Sequence, residues 1–122
     1  MEKKDGEEIM KLLTKEIEKK LRKNAETKPE KLRDMGHVPV VKFFGGPYTA
    51  LFTELFPDGD TLFGLVDLGM GTPELGYASL KEIASVKVPP FGLGIERDMY
   101  FKTKKSLEEY ANVARNNGRI IA

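Results

Sequence analysis

The sequence predicts an α+β domain built around a mainly antiparallel sheet of four or five strands. Short runs of β-branched and aromatic residues fill the middle of the chain, and strong turn signals separate them. Helical spacing of apolar residues is confined to the two ends and one short central segment. The 122 residues match the size of one ordinary domain, so we expect a single domain over residues 1–122.

The N-terminal part of the chain predicts an amphipathic helix followed by a loop. Apolar residues recur at helical spacing from Ile9 to Leu21, with lysines and glutamates between them. Thr14 is an alternative N-cap, and the helix proper would then run from Lys15 to about Lys23. Residues 24–36 are polar and contain a proline and a glycine, which is typical of a loop.

The central part predicts an antiparallel meander of three strands. The runs His37–Phe44, Tyr48–Phe56 and Thr61–Leu68 are rich in β-branched and aromatic residues. Two glycines and a proline separate the first two runs, and a Pro-Asp-Gly sequence at residues 57–59 separates the second and third. Proline suits the second position of a turn and glycine tolerates a positive φ, so the second separator indicates a tight hairpin.

Two further strands are expected after the meander. Glu74–Ala78 predicts a short fourth strand. Glu96–Phe101 follows a glycine-rich stretch and predicts a last strand. These segments complete a sheet of four or five strands.

Two capping boxes mark the remaining helices. Ser79 with Glu82 opens a short central helix, and Ser106 with Glu109 opens a C-terminal helix over about 106–117. Gly118 is suited to a left-handed helix stop. We expect the N-terminal, central and C-terminal helices to pack on the sheet, with the helices near both ends on one face.

Charge is segregated along the chain although the net charge is only +1. Residues 43–80 contain no Lys or Arg, whereas both flanks are rich in lysine. Nucleic-acid binders usually present a basic face, so the central segment has the wrong sign for phosphate contact. Any such contact would have to come from the flanks, through Lys81, Lys87, Lys102, Lys104 and Lys105.

The residue inventory excludes several kinds of site. There is no cysteine, which excludes disulfides, thiolate zinc sites and cysteine nucleophiles. His37 is the only histidine, which excludes metal sites built from two or three histidines. Asp58 and Asp60 flank a glycine as in a calcium loop, but the full calcium-loop pattern is absent. We therefore expect no catalytic residues, no metal and no cofactor.

The sequence also predicts a cytoplasmic protein with no membrane partner. No apolar run approaches the roughly 18 residues of a membrane span. The first residues are charged and are not followed by the apolar stretch of a secretory signal.

Three aromatic residues of the predicted strands are candidates for binding. Tyr48, Phe52 and Tyr77 would stack on single-stranded bases or anchor a protein partner if they lay on an exposed face of the sheet. Under the helices they would instead be core residues. Both interpretations are compatible with their positions in the strands.

The charged triplet Glu96, Arg97 and Asp98 is the second candidate binding site. In a strand, the two carboxylates point one way and the guanidinium the other. Arg97 suits bidentate contact with a carboxylate or phosphate. The alternative is an internal ion pair that pins the last strand to a helix.

Five segments of the chain carry a family resemblance: Leu12–Glu16, Val40–Phe44, Leu62–Val66, Glu74–Leu80 and Gly92–Phe101. In this order they resemble the domain of unknown function 2958 family, over roughly residues 11–105. The resemblance implies a small bacterial protein of the kind often found on plasmids, phages and integrated elements, with no established activity. Many members carry tryptophans in the second strand, where this chain has none.

These observations lead to two expectations about function. The first is a non-enzymatic accessory protein of a bacterial mobile genetic element, plasmid or phage, that acts by binding another protein. The alternative is a nucleic-acid-associated protein that uses the terminal basic residues and the sheet aromatics.

Overall fold

A computed structural model describes Ile9, residues 11–26 and residues 36–122, and it shows a five-stranded sheet. The strands are β1 (Val41–Gly45), β2 (Tyr48–Leu55), β3 (Thr61–Asp67), β4 (Glu74–Ser79) and β5 (Glu96–Arg97). Their order is β4-β3-β2-β1-β5, and every neighbouring pair is antiparallel. The predicted α+β class and antiparallel sheet are confirmed.

In the described part of the chain three helices pack on the sheet, α1 (Lys15–Glu26), α2 (Leu80–Ser85) and α3 (Leu107–Asn117), and Ile9, Lys11 and Leu12 before them are also helical. Thr14 is the residue that starts α1, because its Oγ1 accepts the backbone N–H of Ile17 at 3.1 Å. The interpretation with Thr14 as N-cap is therefore the correct one. No described helix is long and apolar enough to cross a membrane.

The cap residues of α2 and α3 are those that the sequence predicts. The Ser79 hydroxyl accepts the backbone N–H of Glu82, and both bonds of the capping box between Ser106 and Glu109 are formed. Gly118 ends α3 with a φ of 70°, which a residue with a side chain adopts only with strain. The predicted loop at residues 24–36 lies partly outside the described residues, and residues 24–26 belong to α1.

The sheet is covered on both faces, so the expectation that the helices near both ends share one face is wrong. On one face α1 and α2 cover a cluster that includes Phe43, Phe52 and Leu62. On the other face α3 covers Leu51 and Phe63, among others. The reason lies in β2, where all six residues from position 50 to position 55 are buried. Burying side chains that point both ways requires apolar cover on both faces.

Two strands are shorter than predicted. The first begins at Val41, not at His37, although the N–H of Val40 still donates to the carbonyl of Phe52 at 2.9 Å. The last strand stops at Arg97 because Asp98 begins a turn: its carboxylate accepts the N–H of Tyr100 at 2.9 Å. The predicted strand through Phe101 is therefore wrong beyond Arg97.

The central pair of strands approaches too closely for a side chain at Gly64. This glycine lies opposite Phe52, next to an irregularity in the register between Phe52 and Glu54. A Cβ atom on Gly64 would overlap the carbonyl oxygen of Leu51 and the Cα of Phe52. Glycine is thus required by the packing of two backbones.

We predict that Gly64→Ala lowers the free energy of unfolding by at least about 2 kcal/mol, because β2 and β3 must move apart to admit the methyl group. Urea denaturation measures this difference. The matched control is Gly76→Ala in β4, where a Cβ would meet no atom within 4 Å. We expect the control to be neutral or slightly stabilising. Equal losses in the two variants would contradict the steric account.

Candidate functional site

The three candidate aromatic residues do not form one platform. Phe52 is fully buried, with its ring centroid 5.6 Å from that of Phe43, so it is a core residue and not part of a binding surface. Tyr48 packs against the same cluster, and burial raises the pKa of its phenol to about 12. Tyr77 is 60% exposed, and its ring lies against Phe63 on the other face of the sheet, although the residue also lines the same groove as Tyr48.

The charged triplet makes contacts within the fold, but they are not an ion pair with a helix. The Arg97 guanidinium donates to the carbonyl oxygen of Lys11 at 3.2 Å, which ties β5 to the chain before α1. An Asp98 carboxylate oxygen lies 3.8 Å from the ammonium of Lys42 on the neighbouring strand. Glu96 is exposed at the edge of the sheet. A ligand-binding role for the triplet stays a prediction.

The aspartates of the hairpin between β2 and β3 hold local structure together. The Asp58 carboxylate accepts the N–H groups of Asp60 and Thr61 and the hydroxyl of Thr61. These bonds, chiefly those from Thr61, lower the pKa of Asp58 from 3.8 to about 2. The Asp60 carboxylate accepts the Ser79 hydroxyl at 2.7 Å and the N–H of Lys81 at 2.8 Å, which joins the hairpin to the start of α2.

Two buried carboxylates, one on β2 and one on β3, also contact groups that belong to the fold. Asp67 accepts the backbone N–H groups of Gly69 at 2.7 Å and Ile120 at 3.0 Å, so it fixes the chain after α3 to the sheet. Glu54 lies 3.7 Å from Nδ1 of His37, whose carbonyl accepts the N–H of Leu107 at the start of α3. Within the described residues, no group of three or more Asp, Glu or His side chains could hold a metal ion.

An apolar groove of about 450 Å³ lies beside β4, on the face that carries Tyr48. We call it the apolar groove. Leu68 and Met70, which are 58% and 78% exposed, lie on its rim. The other residues that line it are Tyr48, Val66, Thr72, Glu74, Leu75, Gly76, Tyr77, Ala78, Ser79, Glu82, Ile83 and Val86.

Gly76 keeps this groove open. The cross-strand partner of Gly76 is Gly64, and a Cβ atom built on Gly76 would meet nothing within 4 Å. A glycine inside a strand often marks a place where a ligand or another backbone comes close. The backbone of β4 is therefore accessible both from the groove and from the outer edge of the sheet.

A second groove lies between α1 and residues 99–104, and its lining is basic. It consists of two adjoining cavities of about 960 and 640 Å³. We call it the basic groove, and its cations are Lys19, Lys20, Lys23, Lys102 and Lys104. Of the five lysines predicted for nucleic-acid contact, only Lys102 and Lys104 line it.

The remaining predicted lysines lie elsewhere. Lys81 and Lys87 are exposed in and after α2, and Lys105 lies 5.9 Å from the centroid of the Tyr110 ring. Sequence reasoning missed Lys19, Lys20 and Lys23 as site residues. The signal for them was a lysine-rich helix face, which is common on solvated helices and so is not specific.

The residues that open the apolar groove were also missed. Leu68 and Met70 belong to a glycine-rich loop, where exposed large apolar side chains are a signal of contact with a partner. Gly76 interrupts a short predicted strand, and this was the second available signal.

Comparison with protein families matches residues 12–121 to the family described as "Protein of unknown function (DUF2958)". The match covers nearly the whole chain and includes α3, which lies beyond the resemblance over residues 11–105. No curated protein and no solved structure gives a significant match.

The hydrogen bonds of Asp58 predict an acid-dependent loss of stability. Its folded-state pKa of about 2 lies below the ordinary value of 3.8, so its stabilising effect is present above pH 3.8 and is lost as the pH falls toward about 2. We expect Asp58→Asn to lose less stability than the original chain over that range. Urea denaturation at a series of pH values measures this, and parallel pH profiles would contradict it.

Proposed function

We propose that this chain, which belongs to the DUF2958 family, is a non-enzymatic module that binds an extended segment of another protein along β4. The observation that carries the proposal is an edge strand lying directly beside an apolar groove that Gly76 leaves open. The partner segment would add a strand to the sheet and place an apolar side chain in the groove.

The outer edge of β4 is suited to strand addition. In the described part of the chain β4 pairs only with β3, and that pairing runs without a break from Glu74 to Ser79. Proteins usually protect an edge strand with a lysine, a proline or a bulge. The six residues of β4 contain no lysine or proline and no bulge. Unpaired backbone groups are thus available at this edge.

The apolar groove supplies the side-chain contacts that strand addition needs. Leu68 and Met70 expose apolar surface on its rim, and burying such surface contributes about 25 cal/mol per Å². Methionine is unbranched and adapts its shape to different partners. Opposite them, Ile83 and Val86 line the groove from α2 and the residue after it. One medium-sized apolar side chain of the partner fits between these two walls.

The charge of the apolar groove indicates which residues the partner segment should contain. The described residues that line it include the carboxylates of Glu74 and Glu82 and no Lys, Arg or His. Charge complementarity therefore favours a segment in which Lys or Arg flanks the apolar residue. The absence of Lys and Arg from residues 43–80 is explained if this part of the chain binds a basic partner.

The surroundings of the acidic residues support a binding role over a catalytic one. Asp58, Asp60 and Asp67 all accept backbone N–H groups that hold turns or the chain after α3 in place. These three carboxylates therefore have structural roles. We also propose the setting that the family resemblance implies, which is an accessory protein of a bacterial mobile genetic element acting in the cytoplasm.

Selection from a library of displayed random peptides tests the proposal. We expect the original chain to enrich peptides in which an apolar residue lies between basic residues. Gly76→Val fills the open space over β4, and we expect it to weaken binding of the enriched peptides at least tenfold, measured by fluorescence anisotropy. A Cβ atom at this position meets no atom within 4 Å and valine suits a strand, so the variant should remain folded.

The matched control is Gly94→Val, because Gly94 does not line the groove and a Cβ atom built on it would have its nearest neighbour, the backbone carbonyl oxygen of Val86, at 3.9 Å. We expect the control to bind the enriched peptides as the original chain does. The proposal fails if no peptide is enriched, or if Gly76→Val binds the enriched peptides undiminished.

A further inference from the structure

We infer that the basic groove is a second binding site, which takes a single-stranded nucleic acid. The inference is independent of the apolar groove, because the two grooves have no lining residue in common. The two grooves also differ in the sign of their charge, since lysines line the basic groove and glutamates line the apolar groove.

The shape of the basic groove favours a linear ligand. Its two cavities share Lys20, Lys23, Val40, Phe101 and Lys102, so they form one continuous depression along α1. A small anion would need only one of the cavities. A polymer that runs along the groove would occupy both.

The lysines of the groove are available for phosphate contact. No ion pair joins Lys19, Lys20, Lys23, Lys102 or Lys104 to a carboxylate in the described part of the chain. Glu16 is the only carboxylate among the described lining residues. Lys19 and Lys23 are one helical turn apart, about 6 Å along the axis, so they lie on the same face of α1.

The floor of the groove distinguishes a single strand from other polyanions. Met99 is 74% exposed, and Phe101 and Val40 are half-buried, so apolar surface lines the groove together with the lysines. Unpaired bases pack on such surface, whereas a duplex presents mainly phosphates and base edges. A concave groove also fits a flat anionic membrane poorly. A single strand uses the cations and the apolar floor together.

This assignment changes the set of residues that the sequence predicts to contact a nucleic acid. Lys102 and Lys104 remain, and the lysines of α1 replace Lys81, Lys87 and Lys105. The sheet aromatics do not contribute, because Phe52 is buried and Tyr48 lines the other groove.

Fluorescence anisotropy with a labelled deoxythymidine strand about twelve nucleotides long tests the inference, since single-strand sites span roughly 4–16 nucleotides. We expect binding that weakens with salt. The double variant Lys20→Glu with Lys102→Glu should lose at least tenfold in affinity, and its slope of log K against log salt should become less steep by about 1.4. Both substitutions are at exposed positions, so the fold should persist.

The matched control is Lys81→Glu with Lys87→Glu, which changes the net charge equally but lies outside the basic groove. We expect its affinity to stay within twofold of the original chain. Equal losses in the two double variants would overturn the inference, because net charge alone would then explain binding. Absence of binding at low salt would overturn it too.

Four competitors establish the class of ligand: an abasic strand, duplex DNA, an oligoglutamate peptide and anionic vesicles. An abasic strand of the same length and charge should bind several-fold more weakly than the deoxythymidine strand, since it lacks bases to pack on the floor. Duplex DNA of equal length and an oligoglutamate peptide should also compete more weakly. The inference is overturned if the duplex, the abasic strand, the peptide or anionic vesicles compete as well as the single strand.

Discussion

Burial of β2 on both of its faces is the constraint on which the rest of the structure depends. Six consecutive residues of this strand are buried, so each face of the sheet must receive apolar cover. The two ends of the chain supply it, with α1 on one face and α3 on the other. Gly64 allows β3 to approach β2 closely enough for this packing. Asp67 then holds the chain beyond α3 against the sheet.

The two grooves lie where this cover ends. The central helix α2 has only six residues, and the face of the sheet next to Gly76 stays open. Elsewhere, α1 leaves a second depression between its lysines and residues 99–104. An acidic, apolar groove at a sheet edge and a basic groove beside a helix are suited to different ligands. The two proposed sites together would let this protein bring two molecules close to each other.

Local features of the fold were predictable from the sequence, because they depend on residues close together in the chain. The Pro-Asp-Gly turn, the capping box of Ser106 with Glu109 and the stop at Gly118 are examples. The distribution of helices over two faces was not predictable in this way. It follows from side chains of β2 that point both ways, and a buried run carries no alternation to show which face each helix covers.

The candidate sites were even less predictable from the sequence than the placement of the helices, because they depend on contacts between residues far apart in the chain. Lys20 and Lys102 line one groove but are far apart in the chain, and only the folded chain shows that they are neighbours. Arg97 was the sharpest charged feature of the sequence, yet its guanidinium donates to a backbone carbonyl near α1. Conversely, Gly76 has no side chain that would mark it as a site residue, although it lines the apolar groove and leaves space there.

Amide hydrogen exchange of β4, with and without a peptide enriched on the original chain, tests the central claim most directly. The claim is that β4 accepts a further strand at its outer edge. It predicts that the outward-facing amides of β4 exchange more slowly in the complex, because they donate to the peptide backbone. Unchanged exchange in β4, with slowing confined to other parts of the surface, would contradict the claim.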